Sequence, residues 1–159
     1  MRLLFFISII FLSITASSQS MFPEKYSDCD APMFFLENDS ISTRYKIIDS
    51  LAISIFSNLN PKFADKIRGQ IICQIFVDSE GNSCCISSMN ESNKSSSKIG
   101  LKDAINDLGK WSIPKRKGKA ENMCAIVRMT FFDDSYMLER LGFNAKTRFT
   151  TLEKVSIKK

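Results

Sequence analysis

The chain has 159 residues and no histidine. Without an imidazole, neither a Ser–His nor a Cys–His nucleophilic pair can form. The sequence also has no Gly-rich phosphate-binding loop and no Gly-x-Ser-x-Gly motif. Ser95 and Lys98 have the spacing of a Ser-x-x-Lys pair, but their Ser-rich surroundings are typical of a loop and a helix cap. We therefore expect no enzyme activity, no catalytic residue, no cofactor and no small-molecule substrate.

The sequence indicates neither a metal site nor a nucleic-acid surface. Structural zinc sites use closely spaced Cys and His ligands, and this chain lacks any Cys-x-x-Cys pair as well as histidine. The formal net charge is +5 at pH 7, and Lys and Arg are interleaved with Asp and Glu along the chain. A basic stripe of the kind that binds nucleic acid is not visible. We expect no bound metal and no nucleic-acid partner.

The N-terminus has the pattern of a signal peptide. Arg2 precedes an apolar run, Leu3–Ile14, and the small residues Ala16 and Ser18 follow it. A membrane-spanning helix needs about 20 apolar residues, and this run is shorter. We expect residues 1–18 to be removed, with a mature periplasmic chain starting near Gln19. The alternative is an uncleaved segment that anchors the protein in the inner membrane.

Five cysteines follow, and an odd number leaves at least one thiol unpaired or paired between chains. Cys73, Cys84 and Cys124 lie in alternating apolar runs, where buried free cysteines behave as small hydrophobic residues. The adjacent Cys84 and Cys85 point to opposite sides of a strand, so we do not expect them to bond to each other.

Residues 19–40 are expected to be irregular because Pro23, Pro32 and the turn formers Asn38-Asp39-Ser40 interrupt any long element. Residues 41–132 are expected to form one domain, and 133–159 an extension of uncertain structure. Within the domain, apolar spacing predicts helices over Arg44–Asn58 and Lys98–Lys110, a short turn or helical piece at Pro61–Ala64, a polar loop over Ser87–Ser97, and strands over Gln70–Asp78, Ser83–Met89 and Glu121–Phe132.

This element order predicts an α+β fold in two layers. A small antiparallel sheet of about three strands would carry two helices on one face. In the extension, Tyr136–Leu141 is expected to be a helical turn, and Arg148–Lys158 is either a fourth strand or a basic tail.

An ordered set of residues between positions 61 and 131 resembles the C-terminal domain of TonB-type periplasmic proteins. Proline and alanine precede a glycine that opens the first strand, which ends in a Val-Asp-x-x-Gly hairpin; a helix, a tryptophan, a proline, a glycine and a closing strand follow. The residues are Pro61, Ala64, Gly69, Val77, Asp78, Gly81, Leu101, Ala104, Trp111, Pro114, Gly118 and Phe131. Glycine suits the hairpin, and the tryptophan can seal the helix against the sheet.

The resemblance implies a peptide-binding module. Such domains contact the N-terminal peptide of outer-membrane transporters, which adds a strand beside the domain's last strand. Here that strand would be Asn122–Phe132, so the implied partner-binding residues are Asn122, Cys124, Ile126, Arg128 and Thr130. The chain lacks the Pro-rich spacer of a full energy transducer. The alternatives are a membrane-anchored energy transducer and a structural envelope protein that pairs with a second copy of itself as a homodimer.

Overall fold

The computed structural model describes residues 20–38 and 47–159. The expected signal peptide and the predicted helix start at Arg44 lie outside these residues. None of the helices in the described part of the chain has the length and apolar character needed to span a bilayer.

The described residues form nine strands and four short helices. The strands are β1 (Glu24–Lys25), β2 (Phe35–Leu36), β3 (Gly69–Val77), β4 (Ser83–Ser92), β5 (Lys115–Arg116), β6 (Lys119–Ala120), β7 (Met123–Phe131), β8 (Ser135–Asn144) and β9 (Arg148–Lys158). The helices are α1 (Ile48–Asn58), α2 (Pro61–Ala64), α3 (Ser96–Ile99) and α4 (Leu101–Asn106).

The main sheet has seven strands in the order β1-β4-β3-β7-β8-β9, and β2 also pairs with β7. All of these pairings are antiparallel except that between β2 and β7. The strands β5 and β6 form a separate hairpin. The prediction of an α+β fold with about three strands and two helices is therefore wrong. The protein is mostly β, because the residues after 132 add two long strands to the sheet.

The sheet has two differently covered faces. One, the helix face, carries the odd-numbered side chains of β3 and β7 and packs against α1 and α4. Its buried side chains include Leu51, Ile55, Ile71, Ile75, Leu101, Ile105, Val127 and Met129. The other, the opposite face, carries the even-numbered side chains of these strands. Phe22, Phe34 and Leu36 from the N-terminal segment cover part of it, over Phe76 and Ile126.

A disulfide fastens the N-terminal segment to the opposite face. Cys29 is bonded to Cys84 on β4, and the two residues are 55 positions apart in sequence. The expectation that Cys84 is a buried free thiol is therefore wrong, while Cys73, Cys85 and Cys124 are free and buried. Residues 20–38 are irregular except at β1 and β2.

The second predicted helix is divided by a glycine. Gly100 has φ of +66°, ends α3 and begins α4, so the expected continuous helix from Lys98 to Lys110 is wrong. The left-handed conformation closes the first helix turn, as glycine commonly does. The helix α4 ends at Asn106, four residues before the expected end at Lys110.

Two segments are strands in the structure although the sequence predicted otherwise. The start of the predicted loop Ser87–Ser97 belongs to β4, and the predicted helical turn Tyr136–Leu141 belongs to β8. The strand β4 continues to Ser92 because buried Ser87 and Ser88 have hydrogen-bond partners on neighbouring elements. The segment Tyr136–Leu141 lies in β8. Both faces of β8 are covered there, so its side chains do not alternate between apolar and polar as in a half-exposed strand.

The hairpin between β3 and β4 is fixed by Gly81 and Trp111. The backbone N–H of Trp111 donates to the Gly81 carbonyl at 2.9 Å. Gly81 has φ of +84°, and a Cβ at this position would overlap the carbonyl oxygen of Trp111. Gly118, in the β5–β6 hairpin, has nearly the same φ, +81°, but no atom lies within 4 Å of a Cβ placed there.

We expect Gly81→Ala to destabilise the protein more than Gly118→Ala. Both changes place a side chain in the left-handed region, which costs about 1–3 kcal/mol. Only the change at Gly81 also forces the Trp111 backbone to move. Urea unfolding of the two variants measures the difference, and equal losses of unfolding free energy would refute the role given to the Trp111 contact.

We also expect the Cys29–Cys84 bond to stabilise the protein by about 2–4 kcal/mol, because a 55-residue separation restricts the unfolded chain. The double variant Cys29→Ser, Cys84→Ser should unfold at lower urea concentration. A reducing agent should bring the unaltered protein to the same midpoint and leave the double variant unchanged. An unaltered protein insensitive to the reductant would contradict the disulfide.

Candidate functional site

The residues expected to bind a partner lie in the middle of the sheet. Cys124, Ile126, Arg128 and Thr130 share the opposite face of β7, and Asn122 precedes that strand. Cys124 and Ile126 are buried in the small core beneath the N-terminal segment. The amide of Asn122 donates to the Met33 carbonyl at 3.4 Å and its side-chain oxygen accepts from Ser79 N–H at 3.1 Å. These contacts connect β7 to the rest of the fold.

The strand β7 has neighbours on both sides along its whole length. One side pairs with β3 from Met123 to Phe131. The other pairs with β2 at its start and with β8 from Ile126 onward. The expectation that Asn122–Phe132 is an exposed edge is therefore wrong, since its backbone groups already have partners and a further strand cannot be added there.

Arg128, the charged residue in the middle of β7, forms an ion pair within the sheet. Its Nε donates to Glu139 Oε2 at 2.7 Å, and Thr151 Oγ1 donates to the other oxygen of Glu139 at 3.3 Å. The hydrogen bond from Arg128 lowers the pKa of Glu139 below its usual value. The Glu139 carboxylate thus links β7, β8 and β9 across the opposite face.

The family-motif residues take up positions that determine the backbone. Pro61 begins α2, Gly69 opens β3 with φ of +103°, and Gly118 lies in the β5–β6 turn. Asp78 accepts hydrogen bonds from the backbone N–H groups of Glu80 and Asn82, both at 2.8 Å, which lowers the pKa of its carboxyl although partial burial opposes this. Trp111 and Pro114 are buried. These roles are structural and carry no chemistry of their own.

At one side of the sheet, the strand β1 and a side chain of α4 contact the outer edge of β4. The short strand β1 pairs with Ser87 and Ser88, and the Asn106 side chain of α4 accepts from the Cys85 N–H at 2.9 Å. The Glu24 carboxylate accepts hydrogen bonds from Ser88 Oγ at 2.8 Å and Ser96 Oγ at 2.5 Å. These contacts hold β1 in place and leave little of this edge for a partner.

Tyr26 joins the group of hydrogen-bonded side chains formed by Glu24, Ser88 and Ser96. Its hydroxyl lies 2.8 Å from Ser88 Oγ, and burial raises its pKa to about 12. The phenol therefore remains protonated at physiological pH. The neighbouring cleft, of about 340 Å³, is lined by Ser96, Ser97, Gly100, Leu101, Lys102 and Asp103, and Lys102 forms an ion pair with Asp28.

At the other side of the sheet, the outer edge of β9 has no neighbouring strand among residues 20–38 and 47–159. The N–H of Lys159 donates to Asp134 C=O at 2.8 Å, and Ile157 and Val155 stand opposite Tyr136 and Leu138. Backbone groups alternate in direction along an antiparallel strand. Those that point away from β8 belong to Lys154, Ser156 and Lys158.

The edge strand β9 is held against β8 by backbone pairing and side-chain packing. It pairs with β8 over its full length, and Val155 and Ile157 pack against the helix-face core. The Leu152 side chain lies on Gly142, where a Cβ would overlap it. A preformed strand loses little further conformational entropy when a partner pairs with it.

Arg140 connects this edge to the N-terminal segment. It is buried and forms ion pairs with buried Glu37 and with Glu153 on β9, the latter at 2.6 Å between Nη1 and Oε2. A buried guanidinium needs such partners, because leaving it unpaired would be strongly destabilising. Glu153 therefore has a cationic partner, and the exposed charged residues of β9, Arg148, Lys154 and Lys158, are all positive.

The sequence did carry a signal for this edge. Over residues 154–158, polar Lys154, Ser156 and Lys158 alternate with apolar Val155 and Ile157, the period-2 pattern of a half-buried strand. The prediction left this segment as either a strand or a basic tail. The structure makes it a strand of 11 residues.

The free thiols are not activated nucleophiles. The hydrogen bond with Cys85 and burial raise the pKa of the Cys73 thiol, and burial raises that of Cys124. Reactive cysteines need an accessible thiolate, which these sites disfavour. In the described part of the chain, no group of three or more Cys, Asp or Glu residues is arranged to hold a metal ion.

Comparison with known proteins identifies no relative: no family model, no curated protein and no solved structure matches the chain.

Proposed function

We propose that this chain is an exported protein-binding module that captures an extended peptide segment of an envelope protein by strand addition at the outer edge of β9. The observation that carries the proposal is the 11-residue edge strand with outward backbone groups; at the other end of the sheet the terminal strand is β1, which has two residues and pairs only with Ser87 and Ser88 of β4. Main-chain hydrogen bonds would supply affinity, and neighbouring side chains selection.

The charges of the edge indicate what the segment carries. Lys154 and Lys158 are exposed and share a face with Ser156, while Glu153 is paired with Arg140. Opposite charges across neighbouring strands stabilise pairing, and like charges oppose it. The partner segment is therefore an extended stretch with acidic residues at alternate positions. The resemblance to TonB C-terminal domains supports the same mode of binding, moved from β7 to β9.

The charges on this edge also discourage indiscriminate pairing. Lysines on an edge strand are a common protection against aggregation, because a flat apolar edge would pair with any exposed strand. A segment with complementary carboxylates removes that penalty, so protection and selectivity come from the same residues.

We expect Ser156→Pro to abolish peptide binding without unfolding the protein. Proline removes the outward N–H of an edge strand, a position where it is tolerated in sheets. The matched control, Ser156→Ala, keeps the N–H and should bind as the unaltered protein does. NMR titration with synthetic extended peptides, including transporter N-terminal peptides with and without alternate acidic residues, measures both.

Shifts confined to Arg148–Lys158 and lost only in Ser156→Pro would support the proposal. Equal binding by the proline and alanine variants would overturn it. So would sedimentation showing that the edge is filled by a second copy of the chain, with a dimer that Ser156→Pro dissociates and no effect of any peptide.

A further inference from the structure

The fold gathers positive charge at one end of the sheet, bringing together cations from two parts of the chain, 110–119 and 146–148. Three turns meet at this end: residues 78–82 between β3 and β4, the β5–β6 hairpin, and residues 145–147 between β8 and β9. We call it the basic end. Its exposed cations are Lys110, Lys115, Arg116, Lys117, Lys119, Lys146 and Arg148.

The β5–β6 hairpin is the centre of this surface. Lys117 and Gly118 both have positive φ, as in the tight turns that suit two-residue hairpins. Its four cations are exposed, and none of them forms an ion pair with a carboxylate in the part of the chain that the structure describes. The positive charge of the hairpin is therefore not neutralised internally.

Neighbouring contacts position these cations without removing their charge. The Arg116 guanidinium lies 4.2 Å from the centre of the Phe35 ring. The Lys110 ammonium contacts the Asn82 side-chain oxygen and, at 3.5 Å, the Glu80 carbonyl, which are neutral acceptors. The carboxylates nearby in the chain are those of Asp78, Glu80, Asp107 and Glu121, four against the seven cations, and Asp78 interacts electrostatically with Lys110.

At the far end of the sheet, cations lie beside carboxylates. Arg68 there forms an ion pair with Asp133. Lys159 lies among the carboxylates of Asp65, Asp133 and Asp134, and burial together with the nearby Arg68 lowers its pKa. Charges of both signs are therefore mixed there, whereas the four cations of the β5–β6 hairpin have no carboxylate partner among the described residues.

Exposed apolar side chains lie among the cations of the basic end. Met33 is 88% exposed, Ile113 is 47% exposed and Phe143 is 41% exposed. The Met33 carbonyl accepts from Asn122, immediately before β7, and Ile113 leads into the hairpin. Cations around protruding apolar tips are the composition of surfaces that bind anionic bilayers, where the charges meet headgroups and the apolar tips enter the interface.

We infer that the basic end docks this protein on an anionic lipid bilayer. The cations come from the loop after α4, the β5–β6 hairpin and the β8–β9 turn, which suits a broad charged surface better than a groove along a polymer. This surface shares only Arg148 with β9 and leaves the outward backbone groups of Lys154, Ser156 and Lys158 free, so a bilayer and a peptide partner could be bound together.

Cosedimentation with vesicles tests the inference, using phosphatidylglycerol mixed with phosphatidylcholine against phosphatidylcholine alone. The full chain is used, and its apolar residues 3–14 contribute alike to both vesicle types and to every variant. We expect tighter binding to the vesicles that contain phosphatidylglycerol, and this difference should weaken with salt. The triple variant Lys115→Gln, Lys117→Gln, Lys119→Gln should bind roughly 100-fold more weakly, from the contribution of each cation near an anionic surface.

The matched control is Lys62→Gln, Lys66→Gln, Lys98→Gln, which removes the same charge from exposed positions outside the basic end. It should bind as the unaltered protein does. Equal losses in the two triple variants would overturn the inference, because net charge and not the basic end would then set the affinity.

A second measurement tests insertion of the apolar tips. The chain's single tryptophan, Trp111, is buried, so Met33→Trp adds an exposed reporter. Its fluorescence should shift to shorter wavelength with phosphatidylglycerol vesicles and not with heparin, a soluble polyanion. A chain that binds heparin but not the vesicles would overturn the inference. Ser156→Pro should leave vesicle binding intact, which separates this surface from the peptide edge.

Discussion

The backbone groups on the outer side of β7 need hydrogen-bond partners, and the rest of the architecture follows from how they are supplied. β8 and β2 provide them, which draws both the C-terminal residues and the N-terminal segment onto the same strand. β8 then needs a neighbour of its own and receives β9. The free edge of the sheet is consequently at Arg148–Lys158, two strands away from where the motif alone would place it.

Ion pairs hold the C-terminal strands β8 and β9 against the rest of the sheet. Arg140 is buried on β8 with carboxylates from Glu37 and Glu153, so one guanidinium connects β2, β8 and β9. On the opposite face, Arg128 and Glu139 connect β7 to β8 in the same way. The acidic side chains near the edge, Glu139 and Glu153, are thus engaged in ion pairs with arginines. The remaining exposed charges on β9 and on the basic end are then mostly positive, and both proposed surfaces depend on this imbalance.

Local pattern predicted much of the fold between Pro61 and Val77, because periodicity and turn chemistry act over a few residues there. It failed where distant residues decide the outcome. Arg140 is buried in a strand because Glu37, 103 positions away, forms an ion pair with it, and Glu139 is buried beside Arg128 of the neighbouring strand. Ser87 and Ser88 lie in a strand because Gln74 and Glu24 accept their hydrogen bonds. The basic end was missed although five of its seven cations lie between Lys110 and Lys119, because Lys146 and Arg148 reach this end only after the strands pair.

The central claim, that β7 is interior and β9 is the edge, can be measured by amide hydrogen exchange followed by NMR. The even-numbered residues of β7 direct their backbone groups to β8, since Phe132 N–H donates to Ser135 C=O at 2.9 Å. The account predicts slow exchange at Ile126, Arg128 and Thr130, and fast exchange at Lys154 and Ser156 beside slow exchange at Val155 and Ile157. Fast exchange at Arg128 and Thr130 would contradict it, because β7 would then be the open edge.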